Sequence, residues 1–147
     1  MRFLYVIAVL VAGQVGPAGA ADLLWEIEGK YASCHSKSVC AASDESWSMS
    51  IKRLSVDTAR VSLNSLVKFS ATEAYSCDVT GIAKLEGSRL VLVKPESPEG
   101  ISEPVALAIS NESIRVEYEK RWGSAEGSYC GYKADLGGIE ARRPKRK

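Results

Sequence analysis

The sequence predicts an all-β fold, a small antiparallel barrel or sandwich of about seven to eight strands stapled by disulfides. Three observations predict it. Apolar residues recur with a period of two along most of the chain, which is the pattern of strands with one face buried and one wet. No segment offers three turns of amphipathic helix, and four cysteines are spread through a chain of 147 residues. That length suits one domain, and a composition of 46% hydrophobic and 25% charged residues excludes collagen, low-complexity disorder and a multi-span membrane protein.

The N-terminus reads as an export signal over residues 1–20. Met1-Arg2 supplies a positive start, Phe3 to Ala12 is an uncharged apolar run, and Ala18-Gly19-Ala20 places small residues where a signal peptidase reads. Ten residues at a rise of 1.5 Å cover only about half of a bilayer's hydrocarbon core, so the mature form is expected to have no transmembrane span. No cysteine follows the cleavage region, which argues against a lipid-modified N-terminus. An uncleaved interfacial anchor is the alternative. The expected compartment is the periplasm, with secretion beyond it as the alternative, and the environment is oxidising.

The single β domain is expected over residues 21–140. Leu23, Trp25, Ile27 and Tyr31 share one parity, as do Trp47, Met49 and Ile51, then Ala59, Val61 and Leu63. Tyr75, Cys77 and Val79 continue the pattern, followed by Val105, Leu107 and Ile109, and by Ile114, Val116 and Tyr118. Leu85-Glu86-Gly87-Ser88-Arg89-Leu90 reads as a hairpin, and Ser110-Asn111-Glu112-Ser113 as another. Pro95 to Pro104, with three prolines and three glutamates, reads as an exposed connection; Trp122 to Ser128 reads as a loop. The aromatic residues Trp25, Trp47, Tyr75 and Tyr118 fall on the buried parity and are expected in the core.

Residues 21–140 hold 13 basic and 18 acidic side chains, a net charge of −5, whereas Ala141 to Lys147 hold five positive charges. An acidic folded body with a basic, disordered tail over 141–147 is the expected picture. A net-negative body steers towards a cationic protein partner. Basic residues are not interleaved with aromatics on a strand face, so nucleic acid is not an expected partner.

Cys34, Cys40, Cys77 and Cys130 read as two disulfides with three possible pairings. Pairing Cys34 with Cys40 would close a short polar loop and leave Cys77 to join Cys130. That long-range bridge would contribute on the order of 4 kcal/mol through loop entropy, before native strain. Metal binding lacks a second Cys/His pair, and neither a redox C-x-x-C nor a haem-attaching C-x-x-C-H is present. No cofactor is expected.

Catalysis needs a nucleophile, an acid or base, or a metal held by converging side chains. His35 sits in a polar loop with nothing local to set its tautomer. Asp44-Glu45 lies in a serine-rich loop, and Glu117 and Glu119 share the wet parity of a strand. A non-catalytic binding domain is therefore expected.

Two segments carry a family resemblance. Ser76-Cys77-Asp78-Val79-Thr80-Gly81-Ile82-Ala83 and Cys130-Gly131-Tyr132-Lys133-Ala134-Asp135-Leu136-Gly137-Gly138 resemble small exported bacterial domains grouped with LprI-type and related lysozyme inhibitors. With their surroundings, 74–93 and 129–140, they span about a quarter of the expected mature chain. The chain departs from that pattern by lacking a cysteine in Val105–Ile109 and by carrying the additional pair Cys34 and Cys40. It also lacks the S-G-x-x-Y signature of inhibitors of chicken-type lysozyme. The resemblance implies an inhibitor that occludes the active-site cleft of a cationic lysozyme or similar cell-wall hydrolase with rigid polar loops. The loops to test are Ser33–Ser46, with His35 and Lys37, and Arg121–Ser128, with Trp122, Ser124, Glu126 and Ser128. Trp122 either anchors a partner or lies across the barrel rim. An immunity protein that neutralises a delivered toxin is the alternative reading. An envelope-associated structural protein acting through its basic tail is another.

Overall fold

Among the described residues, eight antiparallel strands follow one another in chain order round one nearly closed, barrel-shaped sheet. The computed structural model describes residues 18–34, 36, 43–97, 103–118, 129–130 and 134–145. A helix, α1 (Ala18–Ile27), leads into β1 (Gly29–Ala32), β2 (Glu45–Arg53), β3 (Thr58–Lys68) and β4 (Ala74–Glu86). Then come β5 (Arg89–Ser97), β6 (Val105–Ile109), β7 (Ser113–Tyr118) and β8 (Glu140–Arg142). A meander of this kind needs only local connections, and the two expected hairpins supply two of the seven. Glu86 pairs with Arg89 across a two-residue turn in which Gly87 takes φ +63°, a region that side chains disfavour. Ile109 pairs with Ile114 across the second.

The period-two residues form the core. Met49, Ile51, Val61, Leu63, Val79, Leu107, Ile114 and Val116 are all buried, and registers such as Ile51–Val61 and Leu63–Val79 place them side by side. Trp47, Tyr75 and Tyr118 pack against this core while half-buried. Full burial of side chains of this size stabilises the fold by roughly 1.5–3 kcal/mol each.

Four expectations need correction. Leu23, Trp25 and Ile27 belong to α1, not to a strand. Five residues cannot separate a period of two from one of 3.6, and Leu24 and Ile27 lie three apart on one helix face, where both are fully buried. The remaining face turns outwards, so Trp25 is 57% exposed instead of lying in the core. Pro95 is inside β5, opposite Gly81, rather than in a connection. The ladder shifts register on both sides of that pair, and an irregularity of this kind tolerates the missing N–H. Glu103, expected on an exposed segment, is buried.

The disulfide Cys77–Cys130 joins residues 53 apart and ties Cys130 to the N-terminal part of β4. Beside it, the Asp78 amide donates to the Tyr129 carbonyl at 3.0 Å. At the C-terminal end, the sheet continues through Ala141 and Arg142, past the domain boundary expected at residue 140. Arg143 is anchored as well: it pairs with Glu26 of α1, and its guanidinium donates to the Ser110 carbonyl at 2.9 Å. No helix among the described residues is long and apolar enough to cross a membrane.

Candidate functional site

Among the described residues, a concavity of about 790 Å³ is lined by both the first and the last strand of the sheet. One wall is β1, through Lys30, Tyr31 and Ala32; another is β8, through Glu140, Ala141 and Arg142. Its polar floor comes from alternate residues of three long central strands. The register sets Ser48, Asn64 and Asp78 in one row and Ser50, Ser62 and Thr80 in the next. These are the wet-parity positions, so the alternation that builds the core also builds the floor. Asn64 donates to the Asp78 carboxylate at 2.8 Å, and the Thr80 hydroxyl to Ser62 at 3.1 Å. The floor thus presents fixed hydroxyl, amide and carboxylate groups to a ligand. Lys30, Glu140 and Arg142 place both signs of charge on its walls.

Short local contacts hold the β1 wall. The Tyr31 hydroxyl donates to the last carbonyl of α1, Ile27, at 2.7 Å. Ser33 clasps Trp47 in both directions: the Ser33 amide donates to the Trp47 carbonyl and the Trp47 amide to Ser33 Oγ, each at 3.0 Å. Burial raises the Tyr31 hydroxyl above its ordinary pKa, since the phenolate would be poorly solvated there.

Three other described acids, Glu103, Glu117 and Glu96, have structural partners. Glu103 accepts from the Tyr118 hydroxyl and, at 3.2 Å, from the Tyr129 amide, which fixes the residue two positions before β6 beside the disulfide. Burial and the Glu103 charge both push the Tyr129 hydroxyl above its usual pKa. Glu117 pairs with Arg89, and Glu96 with Arg60, each at 2.7 Å. Among the described residues, no group of three or more His, Cys, Asp or Glu side chains is placed to hold a metal.

The residues singled out by sequence fall in three sets. Cys77 and Cys130 are joined to each other, and Cys34 is also disulfide-bonded. His35, Lys37, Cys40, Trp122, Ser124, Glu126 and Ser128 lie outside the described residues. Ser43 and Asp44 are described, and Ser43 bonds the Glu45 carbonyl at the start of β2. Sequence reasoning missed the groove, because short polar residues on a wet parity carry no signal until the barrel's ends are placed. It also missed Trp25, which stands out with the Arg53 guanidinium stacked 3.8 Å from its ring centre. In comparisons with known proteins, no family model, curated protein or solved structure matches this chain.

Proposed function

We propose that this chain is an exported, non-catalytic binding domain that acts on a cationic protein. A lysozyme or similar cell-wall hydrolase, occluded at its active-site cleft, is the first target to test. The observation that carries this reading is the Cys77–Cys130 bridge at the centre of the sheet. It holds Tyr129 and Cys130 against β4, and binding groups carried on such a rigid frame lose less entropy when a partner docks. The net charge of −5 over residues 21–140 supports a cationic partner. The pairing of Glu103, Glu117 and Glu96 gives these carboxylates structural work, which supports a binding role over acid–base chemistry.

Titration of the oxidised, exported protein into several lysozyme types tests the proposal, with cell-wall clearing and calorimetry as readouts. The expected outcome is loss of clearing in proportion to a one-to-one complex with at least one type. Undiminished clearing and no heat with every type would overturn the target. An immunity role would show instead as neutralisation of a toxin encoded beside this chain.

A further inference from the structure

We propose that the gap between β1 and β8 is a strand-addition site, which takes an extended polypeptide segment of a cationic partner and completes the barrel with it. The inference deepens the binding-domain reading and rests on it for the partner's charge, but not on the partner being a lysozyme.

The hydrogen-bond phase of each edge strand carries the argument. In an antiparallel ladder, bonded and non-bonded residue pairs alternate, and a residue of a non-bonded pair aims its amide and carbonyl away from its neighbour. The Ser33 amide bonds the Trp47 carbonyl, so the same phase makes Tyr31–Met49 and Gly29–Ile51 bonded pairs. Lys30 and Ala32 therefore aim their backbone groups away from β2. On the other side, Val116 bonds the Ile139 carbonyl and Arg143 bonds the Glu112 carbonyl, each at 2.8 Å. Ile114–Ala141 is thus a bonded pair, and Glu140 and Arg142 aim their backbone groups away from β7. Lys30, Ala32, Glu140 and Arg142 all line the groove. Among the described residues, none of the four makes a backbone bond outside the named strands. Two sheet edges thus present unpaired donors and acceptors to one cavity.

Sheet edges of this kind recruit an extended chain by main-chain pairing. Because β1 and β8 run in opposite directions round the meander, an added strand lies antiparallel to one and parallel to the other. Its side chains would alternate between the apolar positions Tyr31, Met49 and Ala141 and the charged rim of Lys30, Glu140 and Arg142. Alternating apolar and polar residues are therefore the sequence class it selects. Basic flanking residues suit the net charge of the folded body.

The test uses the oxidised protein and a lysine-capped peptide of alternating valine and threonine, with residue-resolved amide exchange as the readout. Saturating peptide should slow exchange at Lys30, Ala32, Glu140 and Arg142 on the order of tenfold or more. The same peptide N-methylated at every amide should slow none of them. Ala32→Pro removes one donor facing the gap while leaving the bonds to β2, and it should abolish the effect; Arg142→Pro does the same from the opposite edge. In each variant, retained protection of β3 and β4 reports an intact fold. Unchanged exchange at all four amides, or equal protection by the N-methylated peptide, overturns the proposal. A peptide that docks while every lysozyme stays active leaves strand addition standing and removes the target. Inhibition without peptide docking does the reverse.

Discussion

Glu103 shows how one residue can belong to the fold while looking like solvent-exposed sequence. Flanked by Ser102 and Pro104 in an acidic, proline-rich stretch, it reads as part of a loop, yet it is only 4% exposed. Its bonds to Tyr118 and Tyr129 offset the loss of water, and both partners are distant in sequence, so no local pattern reveals them. The tyrosines set a pH dependence. In the folded state, Tyr31 and Tyr129 have hydroxyl pKa values above the ordinary 10.0. Below that value both groups are protonated whether the chain is folded or not, and stability is unaffected by them. As pH rises above it, the unfolded chain ionises first and binds fewer protons than the folded one, so stability falls. Urea titrations at increasing pH should show a constant midpoint up to about pH 10 and a declining one beyond it. Tyr31→Phe should flatten that decline while lowering the neutral-pH midpoint through loss of its bond to Ile27.

At the scale of elements, the strands were largely legible and the helix was not. The alternation from Ser46 to Lys52 runs over seven residues, long enough to state its period, and it forms β2 with Met49 and Ile51 inside. The stretch Leu23–Ile27 is too short for that, and its burial against the sheet decides its conformation. The irregularity in β4 and β5 was equally hidden, because neither Gly81 nor Pro95 identifies the other in sequence. A Cβ on Gly81 would lie 2.4 Å from the Lys94 carbonyl oxygen and 2.8 Å from Pro95 Cα. Both obstacles are backbone, so the bulge itself would have to move. Gly81→Ala should therefore lower unfolding free energy by about 1–3 kcal/mol in denaturant titration. Gly87→Ala, strained by its φ of +63° but with open space around the new methyl, should cost less, on the order of 1 kcal/mol.

For the whole molecule, the sequence predicts an all-β domain stapled by disulfides with three pairings open; the structure has the strands and joins Cys77 to Cys130. The groove could not be read, since it depends on how far eight strands carry the sheet round. The C-terminus is the second global feature that only the structure supplies. Arg142 lies in β8, and Arg143 connects Glu26 of α1 to the turn at Ser110. Any test of the basic tail must cut after Arg143. Removal of residues 144–147 should leave the melting temperature unchanged, whereas removal of 142–147 should lower it by several degrees. That follows from losing charge-assisted bonds of about 1.5–3 kcal/mol each.

A barrel that is a rigid frame left open along one seam has a signature in residue-resolved amide exchange of the free, oxidised protein. Inward-bonded amides of the edge strands, at Tyr31 and Ala141, should exchange slowly, while their neighbours Lys30, Ala32, Glu140 and Arg142 should exchange near the rate of an unprotected chain. Equal, deep protection at all six would mean that β1 and β8 pair with each other, and the open seam with its binding role would be contradicted.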